Sequence, residues 1–362
     1  MPLTGNKGEW SEIYVFLRLL AMGKLFAADA DLNKIGGTFY NILNVLRTGN
    51  GQKLEFRVDR SAGSVSVVDS DTNAILTSLP FGAFEKAADE LYNKIVAAKS
   101  PSFSVVATET FLNSIRVYSL KAKSTDKSDI RTKVHDINTG IDIVQGFSIK
   151  SRLGSPSTLI NAGRTTNFIY EVTGPMTDAI MNNFNTCSKL FKNRFAVLDA
   201  NKCDISYFGM ENDTFENNLL LLDGNLPEIC AEMLKAFFSL GITTVKDAIS
   251  HLNTTNPLKY DLSKGHPFYS YKFKKLLTEC ALGMLPSKTW DGTADATGGY
   301  IIVREDGAVL CYHLFNRNEF ENYLLNNTKF ETGSTSRHEF GSIYKDNGKY
   351  YLKLNLQVRF IK

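Results

Sequence analysis

The stretch from Asp129 to Ser151 reads as a β-hairpin. Its arms, IRTKVHDI and IDIVQGFSIKS, carry β-branched and aromatic residues, and Asn138-Thr139-Gly140 between them places glycine last, as a three-residue hairpin loop favours. A hairpin decides which side chains face one another, and residues directly opposite share one face of the sheet. With this turn Ile137 faces Ile141, Asp136 faces Asp142, and Asp129 falls opposite Ile149. Asp129 is then one position out of line with Lys150, and a bulge at Gly146 is needed to bring the two onto one face.

The rest of the chain alternates between helical and β patterning. Trp10, Ile13, Leu17 and Leu20 predict a helix from Glu9 to Leu20, with Glu9 and Glu12 near one another on its surface. LEFRV and SVSVV predict strands within residues 53–79, and Phe84, Ala88, Leu91 and Ile95 mark a helix between Pro80 and Ser100-Pro101. A short strand is expected from Thr166 to Val172 and mostly helical structure from Pro175 to Leu285. β signals return from GGYIIV to KLNLQVRF, around a short helix near NEFENYLL and a turn at Asp346-Asn347-Gly348. The expected fold class is α+β, with residues 1–175 and 176–362 packed closely together and the last stretch β-rich.

The distribution of charge says more than its sum, because 41 Lys and Arg against 38 Asp and Glu leave only +3. From Lys121 to Arg164, Lys121, Lys123, Lys127, Arg131, Lys133, Lys150, Arg152 and Arg164 outnumber Asp126, Asp129, Asp136 and Asp142. A local basic excess with embedded carboxylates suits phosphodiester cleavage, which must attract phosphate while keeping metal ligands available. A solvated charged hairpin is the plainer alternative. Cys187, Cys203, Cys230, Cys280 and Cys311 form no CxxC pair, and His135, His251, His266 and His313 stand alone, so reduced thiols and no zinc site are expected. Lys7, Glu9 and Glu12 stand where a signal peptide would need an apolar run, and no later run reaches the roughly 18 residues of a membrane span. The expectation is a soluble, cytoplasmic protein with no membrane partner.

Hydrolysis of a phosphodiester takes one or two divalent cations that stabilise the pentavalent phosphate and acidify the attacking water, and hard Mg²⁺ chooses carboxylate oxygen. A nearby lysine orients the water and offsets developing negative charge. Asp129 at the mouth of the hairpin and Lys150 on its second arm form a minimal set of this kind.

Several longer motifs carry a resemblance. GNKGEWSEIY at the N-terminus, SDI at 128–130, GFSIKSRLGSPSTLINAG with TTNFIYE over 146–171, and ATGGYIIV, LCYH and STSRHEFG nearer the C-terminus resemble the HpaII-like family of type II restriction endonucleases. The likeness spans nearly the whole chain. It implies a PD-(D/E)XK restriction-endonuclease-like core, a mixed sheet flanked by helices, with Asp129 as principal metal ligand and Lys150 as catalytic lysine. Ser148 stands where that motif usually has Glu or Asp, and a hydroxyl cannot replace a carboxylate on Mg²⁺. A second acid is therefore expected from the N-terminal helix: Glu12, beside the small Ser11, or Glu9 nearly as well.

Base reading needs side chains that reach groove edges, with Arg suited to guanine, Asn to adenine, and Ser or Thr adaptable. Two segments offer them: Ser334, Thr335, Ser336, Arg337 and His338 in a Gly-flanked loop, and Ser155, Ser157, Asn161, Arg164 and Asn167 after the hairpin. Either segment could equally be an ordinary polar loop. The resemblance implies double-stranded DNA as partner, CCGG as target, and a cognate DNA methyltransferase as functional companion. The alternative is a degenerate nuclease fold that binds DNA without cutting it, which Ser148 keeps open.

Overall fold

The computed structural model describes residues 2–49, 51–121, 128–137 and 139–361. They gather into two compact units, one within residues 2–157 and 294–323, the other of 158–293 with 324–361.

In the first unit the N-terminal helix runs Lys7–Met22. Asn6 caps it through a reciprocal box in which its side chain accepts from the Glu9 N–H while the Glu9 carboxylate accepts from the Asn6 N–H. Trp10, Ile13, Leu17 and Leu20 are buried as their spacing predicts, and so are Phe84, Ala88, Leu91 and Ile95 of a second helix, Phe81–Ala97. Both helices contribute to one hydrophobic core with the sheet. That nine-stranded sheet runs in the order Lys24–Ala28, Val309–His313, Gly299–Val303, Asp142–Ser151, Ile130–Asp136, Lys34–Gly49, Gln52–Asp59, Ser64–Asp69 and Ile75–Pro80. It is mixed, because Gly299–Val303 lies parallel to Asp142–Ser151 and Val309–His313 parallel to Lys24–Ala28. Lys24–Ala28 also pairs with Lys34–Gly49, so the first six strands of that order close a ring.

The hairpin departs from its expected register. His135 pairs with Asp142 and Ile130 with Phe147, without a shift between them. Asp136 N donates to Ile141 O and Gly140 N to Asp136 O, so the connection spans residues 137–140; Asn138 lies outside the described residues. One more loop residue than expected moves every pairing by one. The paired ladder runs to Ile130 and Phe147 with no bulge at Gly146, and Asp129, just before it, turns its N–H to the same Phe147 carbonyl. Asp136 and Asp142 do not face each other: Asp142 Oδ1 lies 2.8 Å from His135 Nδ1, and Asp136 is buried. Gly146 serves a different purpose from a bulge, since a Cβ there would sit 2.6 Å from Ser128 Oγ, beside Asp129.

His313, fully buried on its strand, illustrates the polarity inside this unit. Its Nδ1 accepts the Phe315 N–H, which leaves Nε2 protonated and donating to Gln145 Oε1, so the ring is held neutral. Burial pushes its pKa down to about 4, against a smaller upward pull from Asp136. A folded pKa below the unfolded value of about 6.5 means that the unfolded chain binds the proton first, so the stability His313 contributes is complete above that pH and drains away as pH falls toward 4. The full loss is about 3 kcal/mol. In urea unfolding at pH 7 and pH 4.5, His313→Gln is expected to lose about 2 kcal/mol less than the native chain between the two conditions; equal losses would contradict the assignment.

The second unit holds a four-stranded antiparallel sheet in the order Asp204–Met210, Asn167–Thr173, Lys349–Asn355 and Ile343–Asp346. Asn347 and Gly348 both take positive φ, 46° and 80°, the two-residue turn that matches strand twist. The helix Leu226–Leu240 buries Ile229, Cys230, Ala231, Met233 and Leu234 completely. Asp204–Met210 interrupts the stretch expected to be mostly helical; its Ile, Tyr and Phe suit a sheet, and it pairs with Asn167–Thr173. The β-rich last stretch is divided, since Gly299–Val303 and Val309–His313 complete the first unit's sheet while the closing hairpin belongs to the second.

Candidate functional site

Asp129 stands just before the first hairpin arm, anchored by its N–H to Phe147 O at 2.9 Å. Its Oδ2 accepts the Ile149 N–H at 2.6 Å and the Ser148 hydroxyl at 3.1 Å. Ser148 therefore holds the neighbouring acid in place instead of supplying one. Lys150, two residues on, shares its face of the strand, and its Nζ lies 5.2 Å from the centre of the Tyr300 ring on the parallel neighbour strand. Burial pulls the Lys150 ammonium below its ordinary pKa, while Asp129 and Glu12 pull it back up.

The N-terminal helix separates the two glutamates. Glu9 is committed: one oxygen takes the Asn6 N–H at 2.9 Å and the other lies 3.3 Å from Lys121 Nζ. Glu12 is turned toward the hairpin site. Burial lifts its carboxyl to about 7, the negative charge of Asp129 adds to the rise, and Lys121 and Arg47 oppose it. Ser11 is fully buried, with its Oγ 2.8 Å from Ser151 Oγ at the end of the second hairpin arm, and this contact brings the helix against that arm. Arg47, which no sequence signal marked, donates to Leu120 O at 2.8 Å; burial lowers its guanidinium to about 10, with Glu12 working the other way. Glu12, Asp129 and Lys150 thus share one electrostatic neighbourhood. Lys123, Asp126 and Lys127 lie outside the described residues. Among the described residues no group of three or more His, Cys, Asp and Glu side chains is arranged to hold a metal, and no helix is long and apolar enough to cross a membrane.

The residues expected to read bases fall in both units. Ser155 is exposed and Ser157 half-buried in the first. In the second, Ser334 caps a one-turn helix, Thr335–His338, instead of sitting in an open loop, and Ser334, Thr335, Ser336 and Arg337 are exposed with His338 half-buried. Asn161 and Arg164 are exposed too, but Arg164 is spoken for, lying 2.7 Å from Glu211 and 3.3 Å from Glu339. Asn167 corrects the expectation outright. It is fully buried, donating to Glu211 Oε2 at 2.7 Å and His338 O at 2.8 Å, and its Oδ1 accepts from Asn355 at 2.7 Å. With its amide fully used it supports the 334–338 segment from beneath and has no face to offer a base. Burial works to raise Glu211, but hydrogen bonds from Asn167, Arg164 and Lys353 outweigh it and hold the carboxyl below its usual range. Glu211 was not marked by any sequence motif, since its three partners come from distant segments.

The HpaII restriction endonuclease family profile matches residues 6–360. The Type II restriction enzyme HpaII of Haemophilus parainfluenzae is 40% identical over 359 residues, 99% of each chain. No solved structure matches. The chain belongs to the HpaII restriction endonuclease family and is a type II site-specific endonuclease acting on double-stranded DNA.

Proposed function

We propose that this endonuclease cuts CCGG by Mg²⁺-dependent hydrolysis at the hairpin site, on a PD-(D/E)XK core whose missing strand acid is replaced by Glu12. The observation that carries the reading is the docking of the N-terminal helix on the hairpin, Ser11 Oγ 2.8 Å from Ser151 Oγ, which turns Glu12 toward Asp129, and the raised pKa of the Glu12 carboxyl agrees with it. Two carboxylates held in a partly buried place repel unless a cation lies between them, and oxygen donors suit a hard divalent ion. Asp129 Oδ1, which accepts no hydrogen bond among the described residues, and Glu12 would hold Mg²⁺, with water and phosphate oxygens completing the shell. When bound, the metal neutralises phosphate charge and acidifies the attacking water.

The chain's own groups do the rest. Ser148 and the Ile149 N–H fix Asp129 Oδ2, so the carboxylate keeps one orientation. Lys150 brings its ammonium to the negative charge that grows on the phosphate, and its burial strengthens that interaction relative to water. The products carry 5′-phosphate and 3′-hydroxyl ends, and a companion methyltransferase would protect the host's own sites.

Sequence is read from the second unit. Arg337 is exposed, its N–H held by the Ser334 hydroxyl but its guanidinium engaged by no partner among the described residues, whereas Arg164 is paired. An unengaged guanidinium can take guanine O6 and N7 together. Cleavage mapping on a plasmid of known sequence is expected to place every cut in CCGG, and cuts elsewhere would overturn that target. Arg337→Ala is expected to lower the ratio of CCGG to single-mismatch cleavage by about 10- to 100-fold. A ratio that holds while both rates fall together would make Arg337 a backbone contact.

A further inference from the structure

Next to Lys150 the first unit opens into a cleft of about 820 Å³, formed where the start of the N-terminal helix, the chain after the second helix, and the segment following the hairpin come together. Lys7, Lys99 and Lys150 line it, with the hydroxyls of Ser100, Ser155 and Ser157, and among the described residues no carboxylate does. Elsewhere in the unit Lys53, Lys86, Lys121 and Lys133 each have an acidic neighbour, Asp71, Glu90, Glu9 and Asp142 in turn, while Lys24 and Lys34 lie over the Phe39 and Phe26 rings. Lys99 is exposed with no ion pair among the described residues, and the Lys7 ammonium touches only the Val96 carbonyl, at 3.5 Å.

Asp129 and Glu12 act on Lys150, but no carboxylate among the described residues lines the cleft beside Lys7 and Lys99, so their ammonium groups leave a local positive field that attracts a polyanion. Because Lys150 belongs both to this cleft and to the candidate site, that ligand is continuous with the substrate. We infer that Lys7 and Lys99 bind the DNA backbone at the phosphates flanking the one that is cut. The cleft then carries sequence-independent affinity and holds the cut strand in line with Asp129, Glu12 and Lys150. The inference rests on the proposal that Lys150 marks the cut phosphate.

The test is duplex binding in Ca²⁺ by fluorescence anisotropy from 50 to 200 mM NaCl, with CCGG and scrambled duplexes, for Lys7→Gln, Lys99→Gln and the double variant. Each lost phosphate contact flattens the slope of log K against log salt by about 0.9. The expected affinity loss near 100 mM salt is about threefold per lysine and about tenfold for the pair, equal on both duplexes. Lys86→Gln, on the second helix outside the cleft, keeps the native slope. Should Lys7→Gln disturb the adjacent helix cap, exposed Lys99 decides alone. An unchanged slope in Lys99→Gln overturns the inference, and so does a loss confined to CCGG, which would mean base reading. If Lys150→Ala instead cuts as well as the native protein, the underlying site proposal fails, and the salt slopes still report separately on whether the cleft binds DNA.

Discussion

Lys150→Ala is expected to lower the single-turnover cleavage rate of a CCGG duplex by about 10³-fold, at the upper end of what loss of one preorganised charge partner costs. The side chain is half-buried, burial depresses its pKa, and Asp129 and Glu12 are the acids that pull it back. No other ammonium among the described residues is shown in that relation to both carboxylates. Binding in Ca²⁺ should fall only about threefold, the worth of one phosphate contact. Lys150→Arg is not expected to restore the rate, because a planar guanidinium cannot occupy the place of a compact ammonium beside Tyr300. Cleavage at the native rate in Lys150→Ala would remove this lysine from the chemistry.

The second large effect separates the two glutamates of the N-terminal helix. Glu12→Gln is isosteric and removes only charge, and it is expected to cut about 10²- to 10³-fold more slowly, because one of two candidate metal ligands is lost. Glu9→Gln should cut within about twofold of the native rate, yet lose about 1 kcal/mol of stability as the reciprocal cap with Asn6 and the contact with Lys121 weaken. Measuring both variants by single-turnover cleavage and by urea unfolding gives opposite patterns for the two residues. Slow cutting in Glu9→Gln with native rates in Glu12→Gln would reverse the assignment.

Much of the site was legible as residue types and little of it as geometry. Asp129 and Lys150 stood out because a carboxylate and a lysine flanked an apolar hairpin. Their alignment did not, because Asn138-Thr139-Gly140 fits more than one loop length, and a single added loop residue moves every pair by one. Asn6-Lys7-Gly8-Glu9 has the spacing of a capping box, a signal in the sequence that engages Glu9 at the helix end and favours Glu12 as the proposed second acid. Arg47 and Glu211 were beyond reach. Each sits in an unremarkable local sequence, and its importance comes from partners far along the chain, Leu120 and Glu12 for one, Asn167, Arg164 and Lys353 for the other. The burial of Asn167 is hidden for the same reason, since nothing in TTNFIYE shows that Asn355 and His338 close over it.

The fold itself was readable where apolar spacing decides it, as in the two helices of the first unit, and unreadable where pairing is long-range. Gly299–Val303 read as a late strand, but nothing local told it to lie parallel to Asp142–Ser151 and place Tyr300 beside Lys150.

In the proposed mechanism Asp129 and Glu12 together complete a hairpin site that is short of one acid. Mn²⁺ binding followed by electron paramagnetic resonance, on the protein bound to a CCGG duplex, tests it without relying on turnover. Asp129→Asn and Glu12→Gln are each expected to weaken binding at least about tenfold, and Glu9→Gln to leave it at the native value. Native Mn²⁺ affinity in Glu12→Gln would contradict the claim.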